Sequence, residues 1–263
     1  MSLANNAGPF LLREEIVQGT GLNLRVLHIS DIHFAPSHKN KAGFLRELAQ
    51  LKPDLVVNTG DNLGHSQAIN PLLQALEPLL EFPGVFVNGS NDYSSPKLTN
   101  PLRYLMGPSK VESRARDLDT PRMLREFENA GWLNLNNQTG QLRIKDQVID
   151  FVGVDDPHLN LDKTPKIQSS NLIAVAHAPY LRVLDSFADL SAKMIFAGHT
   201  HGGQICLPGS RALVTNCDLP TKQAQGLSKY KDSWLHVSAG LGANIYTPVR
   251  VFCPPSATLL TIS

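Results

Sequence analysis

The sequence predicts an α/β domain in which a largely parallel sheet is followed by a second, more antiparallel one. Six short apolar runs, at 24–29, 55–58, 85–87, 148–154, 172–176 and 194–197, are rich in β-branched or bulky residues and read as strands. Helical periodicity fills the intervals at 41–51, 69–80, 121–130 and 180–190, and strands alternating with helices imply βαβ units. After His201 the texture changes: apolar stretches at 204–207, 234–238, 249–252 and 258–262 follow one another without an obvious helix. That change predicts the second sheet.

A chain of 263 residues is sized for one large unit with its own core, so 1–263 is read as a single domain. The segment 94–119, rich in Pro, Ser and charge, reads as an irregular surface excursion. With 24 Lys and Arg against 23 Asp and Glu, the net charge of +1 creates no global field toward nucleic acid or anionic membrane, so nucleic acid is disfavoured as a partner. Cys206, Cys217 and Cys253 form neither CxxC pairs nor an even framework and read as buried free thiols.

No apolar run reaches the 18 or so residues of a membrane span, and the start lacks a signal-peptide layout. The chain as given therefore reads as a soluble domain, with its compartment, cytoplasmic or membrane-associated, left open. Met1, Ser2 and Leu3 resemble an expression scar, in which case a native N-terminal segment able to associate with membrane is missing.

The chemistry lies at the strand ends. The first strand runs into Ser30-Asp31-Ile32-His33, which sends a carboxylate and an imidazole the same way. The second ends in Gly60-Asp61 and the third in Gly89-Ser90-Asn91-Asp92. The fifth ends at His177, and the sixth at Gly198-His199-Thr200-His201-Gly202-Gly203. In open α/β sheets ligands bind beyond the carboxyl ends of strands, where all of these groups fall. Asp31, His33, Asp61 and His201 can form one metal site. Asp61, His177, His199 and an amide oxygen can form a second, with Asp61 bridging. Mixed imidazole and carboxylate donors suit Mn, Fe or Zn better than Mg or Ca.

These residues, in this order, resemble the motifs of the calcineurin-like metallophosphoesterases over roughly two thirds of the chain. The run 198–204, with 237–242 and 248–250, is similar to a bacterial subgroup that includes the YkuE-type phosphohydrolases. The resemblance implies a four-layer αββα sandwich of two mixed sheets and two divalent transition metal ions. It also implies hydrolysis of phosphodiesters, pyrophosphates or activated monoesters by a metal-bridging hydroxide. Asp31, His33, Asp61, Asn91, His177, His199 and His201 become the expected ligands, with Asp61, Asn91 and His199 serving catalysis as well. The implied substrate is a phosphorylated small molecule or a lipid-linked phosphate.

The third motif departs from the family's Gly-Asn-His-Asp. A direct match places Ser90 on the metal and Asn91 where the family keeps an acid histidine, whereas a shift of one residue restores Asn91 as ligand. The amide oxygen is the better donor and is preferred. Either way the histidine is gone, which favours substrates whose leaving groups need little protonation and leaves His65 or His158 as replacements. Asn62 and Arg250 are candidate phosphate contacts. His28, His38 and His236 read as hydrogen-bonded structural histidines. The rivals are a catalytically weakened module that binds a phosphorylated ligand, and a nuclease, which the near-neutral charge disfavours.

Overall fold

The computed structural model describes residues 3–4, 8–97 and 115–263. Of the expected excursion at 94–119, positions 98–114 lie outside the described residues. Beyond that gap, Asp119 caps the next helix by accepting from Arg122 N at 3.2 Å.

The chain first builds one sheet. Strand β1 (Leu11–Val17) is followed by β2 (Leu24–Ile29), helix α1 (Lys39–Glu47), β3 (Leu55–Asn58), α2 (Ile69–Leu80), β4 (Gly84–Phe86), α3 (Thr120–Asn129) and the short β5 (Leu133–Asn134). Strands β2 to β5 pair in parallel, as the alternation with helices predicts. The second sheet collects β6 (Thr139–Ile144), β7 (Gln147–Gly153), β8 (Leu172–Val175), helix α4 (Leu181–Asp189), β9 (Met194–Ala197), β10 (Gly226–Tyr230) and β11 (Ser233–Val237). Its spatial order is β10-β11-β9-β8-β7-β6, parallel at its centre and antiparallel at both edges. Finally β12 (Ser256–Ile262) returns to the first sheet between β1 and β2, giving β1-β12-β2-β3-β4-β5.

Both sheets are therefore mixed, which corrects the division expected from the sequence. The stretches after His201 do not form one antiparallel sheet. Residues 234–238 join the second sheet in parallel with β9, 258–262 join the first, and 204–207 and 249–252 contribute only two-residue ribbons. Local alternation reports which face a residue takes; which sheet a strand joins is set by distant contacts.

Three apolar layers separate four layers of structure. Leu27, Ile29 and Val56 of the first sheet pack on Leu45 of α1, Leu72 and Leu76 of α2 and Phe127 of α3. Val26, Val57 and Val85 meet Phe151, Val175 and Phe196 between the sheets. Ala174, Ile195 and Leu235 pack on Val183 and Phe187 of α4. The result is the expected αββα sandwich. Because the central strands are covered on both faces, they read as continuous apolar runs. Among the described residues, no helix is long and apolar enough to cross a membrane, and all three cysteines are buried and free.

Two histidines interrupt the layer between the sheets. His28 of β2 and His236 of β11 are buried, and their Nδ1 atoms lie 2.8 Å apart. Burial holds His236 down to about 3, and burial with His236 beside it holds His28 well below its ordinary value. The unfolded chain takes up protons on these rings below about pH 6.5 while the folded chain refuses them. Their stabilising contribution is thus present above that pH and lost as pH falls. The cost reaches about 1.4 kcal/mol per pH unit for each ring. His236→Asn, which keeps a donor at the Nδ1 position, is expected to flatten the acid limb of stability against pH by about that amount. Urea midpoints measured between pH 6.5 and 4.5 check this, and an unchanged slope would count against the neutral pair.

Candidate metal centre

The carboxyl ends of β2, β3 and β4 in one sheet and of β8, β9 and β11 in the other open onto a single edge of the sandwich. Backbone hydrogen bonds fix the loops to one another there. Asp31 N donates to Gly60 O at 2.8 Å, His33 N to Asp61 O at 2.9 Å, and Gly198 N to His177 O at 2.7 Å. Leu241 N reaches Ser30 O at 3.0 Å, which ties the loop after β11 to the first ligand loop.

Asp31, His33, Asp61 and His201 come together as the sequence predicts. One candidate ligand atom from each lies within 4.8 Å of all the others, and all four residues are buried. His33 Nε2 stands 3.5 Å from Asp61 Oδ2, and His201 Nε2 stands 3.5 Å from Asp31 Oδ1. That spacing is long for a hydrogen bond, yet it suits two donors sharing an ion held about 2.0–2.2 Å from each. His177 Nε2 meets the other side of the group, also 3.5 Å from Asp61 Oδ2. Asp31 Oδ1 and the Nε2 atoms of His33, His177 and His199 are buried with no hydrogen-bond partner among the described residues. Orphaned polar atoms of this kind, those of Asp31, His33 and His177 gathered about Asp61 and His201, fit a divalent cation.

The outward nitrogen of His177 sets its tautomer. A backbone carbonyl only accepts, so His177 Nδ1–H donates to Thr59 O at 2.7 Å and leaves Nε2 as the donor to a metal. His201 Nδ1 lies between Gly242 O at 3.0 Å, which accepts, and Arg250 Nη2 at 3.1 Å, which donates. Five of the seven predicted ligands, Asp31, His33, Asp61, His199 and His201, have left-handed backbones with φ of 48°, 42°, 54°, 67° and 51°. Each such residue costs about 1–2 kcal/mol when it lacks glycine's freedom. Strain gathered in this way is held at functional sites by the structure around it. Two glycines make the crowding possible. A Cβ at Gly89 would strike the Asp61 carboxylate and approach His177 Cε1 to 2.7 Å, and one at Gly198 would strike Ser30 and approach Asp31 Oδ2 to 2.6 Å.

Residues 24–203 match the family model for calcineurin-like phosphoesterases. The chain belongs to the calcineurin-like phosphoesterase family. It is 25% identical over 257 residues to protein F40B5.2 of Caenorhabditis elegans, covering 89% of this chain but 47% of that protein. It is 24% identical over 248 residues to the phosphodiesterase YaeI of Escherichia coli, covering 90% of this chain and 82% of YaeI. It is 26% identical over 282 residues to the UDP-2,3-diacylglucosamine pyrophosphatase LpxG of Chlamydia muridarum, covering 90% and 83%. YkuE of Bacillus subtilis, 24% identical over 248 residues with 90% and 78% covered, supports the subgroup read from the C-terminal motifs.

In this calcineurin-like centre the third motif is rearranged. Asn91 lies on the Asp61 carboxylate: its backbone N donates to Asp61 Oδ1 at 2.8 Å and its Nδ2 to Asp61 Oδ2 at 2.7 Å. Ser90 Oγ stands 3.5 Å from Asn91 Nδ2. Of the proposed acid replacements, His158 comes near, its ring centroid 5.1 Å from that of His199 and its Nδ1 3.0 Å from Tyr180 Oη. His65 is engaged by Gln67 N at 3.0 Å in its own turn.

Burial raises the Asp61 carboxyl, but His177, His33 and the Asn91 bonds overrule it and hold it below the usual range. Burial pushes Asp31 up to about 6 and lowers His33 to about 4. Burial also lowers His177, yet Asp61, Asp31 and Asp156 together raise it to about 9. The protein thus concentrates anionic charge on Asp61, between two imidazoles.

Two expected phosphate contacts turn inward instead. Arg250 is buried and donates to the carbonyls of Ala239, at 2.7 Å, and of Gly242 and His201, bracing the His201 loop from behind. Asn62 accepts from Asn58 Nδ2 at 2.7 Å and donates toward Asp92. Two supporting residues escaped the sequence reading. Asp92 accepts from the backbone N–H groups of Asp61, Asn62, Leu63 and Gly89. Lys41 is buried, and its Nζ donates to Ile32 O at 2.6 Å, between Asp31 and His33. Its position one turn before the apolar Leu45 was the available signal.

Proposed function

We propose that the chain hydrolyses phosphate esters, namely phosphodiesters, pyrophosphates or activated monoesters. It would do so with two divalent transition metal ions, Mn, Fe or Zn, held by Asp31, His33, Asp61, His201, His177, His199 and Asn91. The observation that carries this reading is the Asp61 carboxylate, whose Oδ2 faces His33 and His177 at the same 3.5 Å. When bound, such ions polarise phosphoryl oxygens and lower the pKa of water.

The protein's own part is positional and electrostatic. Asp61 is shared between the two ligand sets, and Asn91 fixes both of its oxygens. Thr59 O holds His177 in the tautomer that offers Nε2. His158, half-buried beside His199, is the candidate proton donor to the leaving group. His158→Gln is therefore expected to slow alkyl phosphodiesters by about 10²-fold and to spare nitrophenyl esters. A leaving-group series checks this, and equal losses across the series would count against the assignment.

YaeI is named a phosphodiesterase and LpxG a UDP-2,3-diacylglucosamine pyrophosphatase, which favours diester or pyrophosphate substrates, including lipid-linked ones. The net charge of +1 argues against nucleic acid. A binding module without turnover is the second reading, favoured by the absence of the family's acid histidine from Gly89-Ser90-Asn91-Asp92. Parallel assays of aryl monoesters, aryl diesters and nucleoside-diphosphate-linked substrates on Mn²⁺-loaded protein separate the two. Inertness on all three with metal retained supports the module and ends the hydrolase reading.

A further inference from the structure

The buried histidine pair does not end at the sheet interface. Ser30 Oγ lies 2.6 Å from Asp31 Oδ2, Thr59 Oγ1 lies 2.6 Å from Ser30 Oγ, and His28 Nε2 lies 3.0 Å from Thr59 Oγ1. His236 Nδ1 completes a chain of five residues at 2.8 Å from His28 Nδ1. Its direction follows from counting hydrogens. The carboxylate only accepts, so Ser30 spends its single hydroxyl hydrogen on Asp31. Thr59 must then donate to Ser30, which leaves His28 Nε2–H to donate to Thr59. His28 Nδ1 is consequently a lone pair and accepts from His236 Nδ1–H. Every bond points the same way, toward Asp31, and each donor is polarised by the next.

The chain terminates on Oδ2, which also accepts from His199 N at 3.0 Å, while Oδ1 is left facing His201 Nε2 at 3.5 Å. One carboxylate oxygen is thus fixed by the protein and the other is presented to the site. All five residues are buried, so no water is needed to complete the line.

We propose that His236, His28, Thr59 and Ser30 are positioning residues that orient Asp31 for metal binding through this directed hydrogen-bond chain across both sheets. The proposal rests on the reading of Asp31 as a ligand. Metal-stripped full-length protein is titrated calorimetrically with Mn²⁺ for wild type, Thr59→Val, Thr59→Ser, His28→Gln and Asp31→Asn. Thr59→Val removes only the relay hydroxyl and keeps both the side-chain shape and the carbonyl that serves His177. It is expected to weaken Mn²⁺ binding by about 10- to 100-fold, the range typical of groups that orient ligands. Thr59→Ser restores the hydroxyl, and His28→Gln restores one donor and one acceptor in sequence; both are expected within about threefold of wild type. A merely structural role would lower the melting temperature of Thr59→Val without changing Mn²⁺ affinity, and that result overturns the proposal. If Asp31→Asn binds Mn²⁺ as wild type does, the ligand reading falls and the relay with it. If Asp31→Asn binds weakly but Thr59→Val binds normally, only the relay falls.

Discussion

Asp61→Asn is expected to reduce hydrolysis of an aryl phosphodiester by about 10³-fold, the upper end of what loss of one transition-state-stabilising group costs. The reason is geometric. Asp61 Oδ2 is the atom on which His33 and His177 converge, and the same carboxylate accepts both Asn91 bonds. The amide preserves shape but removes the charge, and its NH₂ would confront either the Asn91 N–H groups or the imidazoles. Because Asp61 is proposed to belong to both ligand sets, the loss is expected to act on both at once. Steady-state rates with metal analysis of the same samples check this; retention of more than a tenth of wild-type activity would contradict a shared role.

Asp92→Asn is expected to produce the largest loss of stability. One carboxylate accepts four backbone N–H groups, from Asp61 at 2.9 Å, Asn62 at 2.7 Å, Leu63 at 3.2 Å and Gly89 at 3.0 Å, and so clamps the loop after β3 to the loop after β4. An asparagine offers one oxygen and turns its NH₂ against the remaining donors. Leaving buried donors unsatisfied costs about 1–3 kcal/mol each, so a loss of about 3 kcal/mol is expected. In a protein of this length that corresponds to a fall of roughly 6–12 °C in melting temperature. Burial and neighbouring Asp61 push the Asp92 carboxyl up to about 7 despite those bonds. The comparison therefore belongs at pH 8, where the carboxylate is ionised. A urea midpoint equal to wild type at that pH would remove Asp92 from the account.

The contrast between these two residues shows what was legible in the sequence. Asp61 follows the apolar run Leu55-Val56-Val57 and, after Asn58 and Thr59, a glycine, a local pattern that places a carboxylate at a strand end. Asp92 sits in the same kind of turn, yet three of its four partners, Asp61, Asn62 and Leu63, lie on another segment, and nothing adjacent to it in sequence announces them. The central strands were legible because burial on both faces leaves uninterrupted apolar runs. β1 was not, because Arg13-Glu14-Glu15 interrupts an edge strand whose side chains are mostly exposed or half-exposed. The place of β12 in the first sheet was hidden for another reason. Its apolar pattern fits either sheet, and only its pairing with β1 and β2 decides. Arg250 misled because a guanidinium near a predicted phosphate site also satisfies carbonyls at a loop crossing. His28 and His236 each read as ordinary structural histidines, and only their meeting across the sheets reveals a line to Asp31.

The convergent carboxylates and imidazoles are proposed to make a metal-dependent phosphoesterase centre. Its most direct test is to strip the protein with a chelator and titrate Mn²⁺ back while following hydrolysis of an aryl phosphodiester and the ions retained per chain. The expected result is no hydrolysis in the stripped protein and recovery that saturates as two ions per chain are retained. Undiminished hydrolysis by the stripped protein, or Mn²⁺ that is not retained at all, would contradict it.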